Sequence, residues 1–353
     1  VGAILSMTGN YAALGDSEKK ALDLEVKRIN DAGGVAGRKL ELIIEDDATD
    51  EAKAVSAAAK LLEQDKVVAI IGASGTGQSM AIRGDVDRAG VPQLSMAGGN
   101  AITAKLDPLV FQTPWPNKLV VPFVLKRMKE KGFTKIGVMT DTGGYGKDGL
   151  AIIKEEAPKL GIAIVSEQTF NPNDTDMTAQ LTKIKGSEAQ AVLIWSASKD
   201  ATTVLKNSQQ IGLKLPFFGG SGQARTQFVE GAGTAANGFE FGTGKILLPE
   251  SWGKETPEYK AAADFISRYE AAYSAKPDIF AGHAYDAVWI LADALKRTEG
   301  DTDPAKLRDA IEQTKDMVGM GGKFTFSASD HNGLTENDLF MYRVENGAWV
   351  PAR

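Results

Sequence analysis

The sequence has no cysteine and only two histidines in 353 residues. The first absence excludes thiol catalysis, disulfides, Cys-ligated zinc and iron–sulfur clusters. The second leaves little for His-based acid–base or metal chemistry: His283 falls in a helical pattern, His331 lies beside an Asn-Gly turn, and no His-Glu-x-x-His pattern occurs. Long apolar runs are missing too. Val67 to Ala73 and Leu119 to Leu125 are far short of the roughly 20 residues that span a bilayer. There is no basic excess: Lys and Arg number 40 against 46 Asp and Glu, a formal net charge of −6, which argues against a nucleic-acid or anionic-membrane surface.

What is present is a globular composition, 43% hydrophobic and 24% charged, with 38 glycines. The length predicts about two domains at roughly 150 residues each. Strands and helices alternate from the start: Val1 to Leu5, a polar loop Ser6 to Gly15, a helix Asp16 to Asn30 with Leu22, Val26 and Ile29 on one face, a strand Leu40 to Ile44, a helix Asp50 to Gln64 with Val55, Ala58, Ala59 and Leu62 on one stripe, and a strand Val67 to Ile71. That is the grammar of a parallel α/β sheet. It restarts at Lys135 and runs through strand Ala191 to Trp195 and a short strand Pro216 to Phe218. Three successive helices follow from Pro257, and a hairpin around Glu345-Asn346-Gly347 closes the chain. Three helices cannot fill an α/β domain alone, so they are expected to return to one of the earlier sheets. The chain begins Val-Gly-Ala-Ile-Leu without Met, already inside a strand-like run, and a removed N-terminal segment such as a secretion signal is expected.

Polar loops gather at the carboxyl ends of the strands, where parallel α/β sheets bind ligands. Gly72-Ala73-Ser74-Gly75-Thr76-Gly77 lacks a Gly-Lys-Ser/Thr ending, and Met80 stands where a dinucleotide fingerprint needs its third glycine. Its hydroxyls suit a carboxylate held by neutral donors, or it is an ordinary turn. Ser95 to Asn100, Thr142 to Tyr145 and Ser196 to Ser198 are the other loops of this kind. Gly219 to Gln223 approaches a nucleophile elbow but ends in Gln223. Glu45, Asp46 and Asp47 form a cation-holding or a loop-capping run. Trp115, Trp195 and Phe241 line an aromatic pocket or pack in a core.

With Ser6-Met7-Thr8-Gly9, Gly15-Asp16, Ile29-Asn30-Asp31-Ala32-Gly33-Gly34-Val35-Ala36-Gly37, Asp46-Asp47, the hydroxyl loop after Ile71-Gly72, Tyr145 within Asp141 to Gly146, and Tyr285-Asp286-Ala287, the chain resembles the periplasmic leucine/isoleucine/valine-binding proteins, type I solute receptors of ABC importers. The resemblance covers nearly the whole chain. It implies two Rossmann-like parallel-sheet lobes joined by three hinge crossovers, 1–117 with 249–325 and 118–248 with 326–353, closing on a ligand between them. It also implies a periplasmic, monomeric protein without cofactor, metal or catalysis that delivers a small carboxylate to a membrane permease.

By the same resemblance Ser74, Thr76, Ala97, Gly98 and Gly99 hold the ligand carboxylate, and Tyr145, Ser198 and Ser221 belong to the other lobe's share. The family's aromatic before Gly15-Asp16 is Leu14 here, with Tyr11 nearby. Its acidic partner of the ligand ammonium falls on Ser221, so the expected ligand is an aromatic or branched oxo acid lacking an α-ammonium. Asp141, Asp200 or Glu240 could supply that charge instead, which would make this a true branched-chain amino acid binder. A ligand-sensing receptor or amide-binding regulator of the same fold is the further alternative.

Overall fold

A computed structural model describes residues 1–352 of the chain, and these form two compact units. Unit 1 comprises Val1–Trp115 and Lys245–Leu334, and unit 2 comprises Pro116–Gly244 and residues 335–352. The segment 326–334 therefore stays with unit 1 rather than opening the second lobe. Its backbone holds it there: Phe326 N–H donates to Thr314, Gln112 N–H donates to the His331 carbonyl at 3.0 Å, and Asn332 Nδ2 bonds the carbonyls of Gln112 and Pro114.

Unit 1 is built on five parallel strands, β1 (Gly2–Leu5), β2 (Ile43–Asp46), β3 (Ile70–Gly72), β4 (Gln93–Ser95) and β5 (Val110–Gln112), in the order β2-β1-β3-β4-β5. The late helices Pro257–Tyr273, Ile279–Arg297 and Pro304–Glu312 belong to this unit, which resolves their lack of a sheet. Helix Ala12–Asp31 packs on Ile279–Arg297.

The buried stripe of Ala12–Asp31 is Glu18, Ala21, Leu22, Glu25 and Ile29, with Val26 only half-buried. Two carboxylates on a core-facing stripe need partners. Glu25 has them in Arg268 and in Trp289 Nε1 at 2.9 Å.

In the helix Glu51–Ala59 the buried positions are Ala54, Ala57 and Ala58, continued by Leu61, so the expected stripe is one residue out of phase and Val55 is exposed. Three small side chains let that face lie close against Ile4 and Ile70. A π-helical turn, Lys60–Gln64, ends it.

Unit 2 carries seven strands: β6 (Lys135–Asp141), β7 (Ala163–Phe170), β8 (Ala191–Trp195), β9 (Phe217–Gly219) and β10 (Glu240–Gly244) run parallel, and the antiparallel pair β13 (Leu339–Glu345) and β14 (Ala348–Pro351) extends the β10 edge. Between the two sets, β11 (Met317–Val318) and β12 (Lys323–Phe324) form a small ribbon in unit 1. The second sheet is thus mixed, its antiparallel edge being the hairpin at the chain's end. Phe241 belongs to its core, stacked on Tyr342 at 5.3 Å and edge-on to Trp349. No helix of the described residues is long and apolar enough to cross a membrane.

Candidate functional site

Because β1, β3 and β4 are parallel neighbours, the loops after them lie side by side at one end of the unit 1 sheet. The first loop is helical earlier than its polar sequence implies: a 3-10 turn, Gly9–Tyr11, runs straight into helix Ala12–Asp31. Leu14 is accordingly a buried residue in that helix's first turn. Tyr11 reaches the second loop, since a Cβ built on Gly75 would fall 2.9 Å from its Cε2.

Hydrogen bonds stitch these loops together. Ser6 N–H donates to Ser74 Oγ at 2.9 Å, Ala73 N–H to Ser79 Oγ at 3.1 Å, and the Ser79 and Ser95 hydroxyls meet at 2.8 Å. Asp46 accepts from the N–H groups of Met7, Thr8 and Ala48, and Asp47 from Ser6 Oγ and Thr49 N–H, so this acidic run caps loops.

Thr76 heads the short helix Thr76–Ala81; its Oγ1 is buried and has no hydrogen-bond partner among the described residues. An unpaired buried hydroxyl costs stability, and a ligand oxygen removes that cost. Thr76 occupies the space beside Gly99, where a Cβ would stand 2.2 Å from Thr76 Cγ2. Gln112 Nε2 donates to the carbonyls of Ala97 at 2.7 Å and Gly99 at 2.9 Å. In a trans peptide the N–H points opposite to the carbonyl, so the bond to Ala97 turns the Gly98 N–H away from Gln112. The N–H groups of Gly98 and Gly99 have no partner among the described residues. Ala97 N–H makes only a long bond, 3.3 Å, to Ser95 Oγ. Unit 1 thus offers one hydroxyl and two backbone donors in adjacent loops, a set suited to a carboxylate.

Ser74 stands differently. Its hydroxyl is in hydrogen-bond contact with Glu18 Oε2 as well as with Ser6 N–H. The sequence reading missed Glu18, although it stands four residues before Leu22 and therefore on the same helical face.

In unit 2, Tyr145 lies in the first turn of helix Gly144–Lys159 and stacks on Trp195 with ring centroids 6.1 Å apart. Burial, then the charges of Asp148 and Asp141, raises the pKa of its hydroxyl, so it stays neutral. Trp195 is fully buried, its Nε1 donating to Asn117 Oδ1 at 3.0 Å. Gly149 and Gly220 leave room for the indole, each with a Cβ position within 2.5 Å of it. Trp115, in unit 1, is also buried, and its Nε1 donates to the Gly321 carbonyl.

The Ser198 hydroxyl donates to Asp200 Oδ2 at 2.8 Å, which makes it a partner of the loop rather than a free donor. Arg225, which sequence reasoning did not single out, is buried and binds the carbonyls of Ala197, Ser198 and Gly222, fixing the loop after β8. Ser221 is half-buried, and its Oγ accepts from Thr243 Oγ1 at 3.0 Å.

The three carboxylates considered for an ammonium partner now separate. Glu240 is paired with Arg127 at 3.1 Å and Lys131 at 2.7 Å. Asp200 accepts from Ser198 Oγ and from Asn173 N–H at 2.7 Å. Asp141 is buried, its Oδ1 accepting from Gly143 N–H at 2.7 Å and its Oδ2 without a partner among the described residues. Burial raises its pKa against the opposing effect of the Ser196 hydroxyl and nearby N–H groups.

The histidines have structural places. His283 is buried beside Trp115, burial pushing its pKa down to about 3, and His331 stacks on Phe111 at 4.2 Å.

The family model described as periplasmic binding protein matches residues 1–348. The Leu/Ile/Val-binding protein homolog 3 of Brucella melitensis is 28% identical, covering 97% of this chain and 90% of that protein. The leucine-, isoleucine-, valine-, threonine- and alanine-binding protein of Pseudomonas aeruginosa is 27% identical over 86% of this chain and 79% of its own length. Among solved structures, an extracellular ligand-binding receptor from Rhodopseudomonas palustris matches with a TM-score of 0.93 at 26% identity, covering 99% of this chain and 98% of that one. A branched-chain amino acid transporter substrate-binding protein from Streptococcus pneumoniae, in complex with isoleucine, matches with a TM-score of 0.87 at 28% identity, covering 99% and 96%.

Proposed function

The chain belongs to the periplasmic binding protein family, and from that premise we propose that it captures a small carboxylate in the periplasm and passes it, unchanged, to the permease of an ABC transporter. It is a solute-binding protein of the branched-chain amino acid transport type. The observation that carries the carboxylate reading is the buried, unpartnered Oγ1 of Thr76 beside the free N–H groups of Gly98 and Gly99. Ser74, Ala97 and Tyr11 complete that end. Tyr145 and Ser221 select the remainder of the ligand, as the family resemblance implies.

At the position of the family's ammonium partner stands Ser221, a neutral hydroxyl already engaged with Thr243. A desolvated ammonium without a carboxylate costs at least about 1.5 to 3 kcal/mol, or roughly 10 to 150-fold in affinity. The favoured ligand is therefore an aromatic or branched oxo acid. One observation supports an amino acid instead: Asp141 Oδ2 is buried without a partner and could meet an ammonium. A thermal-shift screen of leucine, valine, their oxo acids, benzoate and amides tests both readings. Ligand at about 100 times its dissociation constant adds roughly 2.7 kcal/mol, so a carboxylate ligand raises the melting temperature measurably. Failure of every carboxylate to do so would sink the proposal.

A further inference from the structure

The Ser74 hydroxyl has one hydrogen to give and two lone pairs to fill. One lone pair takes Ser6 N–H at 2.9 Å, and the other contact is Glu18 Oε2. Glu18 is fully buried on helix Ala12–Asp31, and its Oε1 has no partner among the described residues.

The groups around Glu18 are acidic or neutral. Asp47, just past β2, holds Ser6 Oγ at 2.6 Å; Asp278, at the N-terminus of helix Ile279–Arg297, holds Ser17 Oγ at 2.9 Å; and Tyr269, from helix Pro257–Tyr273, borders Ser17 and Asp278. Glu25, two helical turns along the same stripe, has Arg268 and Trp289, whereas among the described residues no cation acts on Glu18. Burial, with Asp47 and Asp278 adding to it, pushes the Glu18 pKa up to about 8 against the opposing hydrogen bond from Ser74.

The hydrogen count then depends on Glu18. Ionised, Glu18 takes the Ser74 hydrogen, and a ligand carboxylate meets a lone pair with a negative charge behind it. Protonated, Glu18 donates to Ser74 Oγ, and the Ser74 hydrogen is released to the ligand side. We propose that Glu18 is a positioning residue for ligand capture: as the neutral acid it donates to Ser74 and turns the Ser74 hydroxyl toward the ligand carboxylate, so that binding takes up one solvent proton wherever Glu18 is otherwise ionised. This rests on the carboxylate reading of the site.

The test is isothermal calorimetry of the intact protein with 4-methyl-2-oxopentanoate, benzoate and leucine as probes, from pH 6 to 9.5, in two buffers of different ionisation enthalpy. The affinity of a binding probe is expected to be level near pH 6 and to fall by up to about tenfold per pH unit above pH 8, with proton uptake approaching one per ligand. Glu18→Ala weakens binding at pH 6. Glu18→Gln, whose amide donates to Ser74 at every pH, recovers binding relative to Glu18→Ala and abolishes both the pH slope and the proton uptake. Binding by the unaltered protein with no proton uptake above pH 8 overturns the inference without recourse to a variant, and so does a Glu18→Gln protein that keeps the slope. If no probe binds at any pH, the carboxylate reading itself fails, and this inference with it.

Discussion

Thr76 fills the space that any side chain at position 99 would need: a Cβ on Gly99 would lie 2.2 Å from Thr76 Cγ2 and 2.8 Å from its Oγ1. The hydroxyl and the glycine backbone are therefore one constellation. Thr76→Val keeps the shape and removes the donor. It is expected to weaken carboxylate binding by about 1.5–3 kcal/mol, roughly 10 to 150-fold, the worth of a hydrogen bond to a charged group. Gly99→Ala displaces Thr76 and should weaken binding comparably. Calorimetry reads the loss, and unchanged far-UV circular dichroism shows that the fold is kept.

The indole of Trp195 lies between two glycines, with Cβ positions 2.0 Å from its Cδ1 at Gly149 and 2.5 Å from its Cη2 at Gly220. Alanine at either position overfills the site, at a cost of about 1–3 kcal/mol. Urea unfolding followed by tryptophan fluorescence should show a lower midpoint for Gly149→Ala and for Gly220→Ala. An unchanged midpoint would mean that the indole can move, and that the Tyr145 stack is not rigid.

Ser221 sets the preference against an amine on this account. Ser221→Asp should favour amine-bearing acids, changing the ratio of leucine to 4-methyl-2-oxopentanoate affinity by at least about tenfold toward leucine, the value of roughly 1.4 kcal/mol. Competition calorimetry on both proteins gives that ratio.

Glu18 also makes a prediction for stability without any ligand. Its pKa is raised to about 8 in the folded protein, mainly by burial. Between its ordinary value near 4.3 and that of the folded state, the unfolded chain releases the proton that the native state retains, so stability falls as pH rises, by up to about 1.4 kcal/mol per unit. Glu18→Gln removes this contribution. Its melting temperature should gain on that of the parent protein steadily from pH 5 to pH 8, and parallel curves would contradict the protonation assigned to Glu18.

Much of this was legible in the residues. Strand Ala191–Trp195 and the closing hairpin follow from short apolar runs bounded by turn residues, and the glycine-rich loops mark the strand ends where Thr76, Gly98 and Gly99 sit. Other features depended on tertiary context. Helix Ala12–Asp31 begins within a stretch whose Ser, Thr, Gly and Asn content reads as loop, because Thr49, in the loop after β2 and 38 residues away, holds Tyr11 N–H of the 3-10 turn, and Asp46, at the end of β2, holds Met7 N–H just before it. Glu18 sits on the apolar face, but only Ser74, 56 residues on, gives that position a purpose. The pairing of Glu240 with Arg127 and Lys131, which removes it as an ammonium partner, joins residues more than 100 positions apart and leaves no local pattern.

The central claim, capture of a carboxylate that lacks an α-ammonium, is tested most directly by titrating the protein with leucine and 4-methyl-2-oxopentanoate side by side, since the two differ only at the α-carbon. The account predicts that the oxo acid binds at least about tenfold tighter. Tight binding of leucine with none of the oxo acid would contradict it and assign the unpartnered Oδ2 of Asp141 to an ammonium.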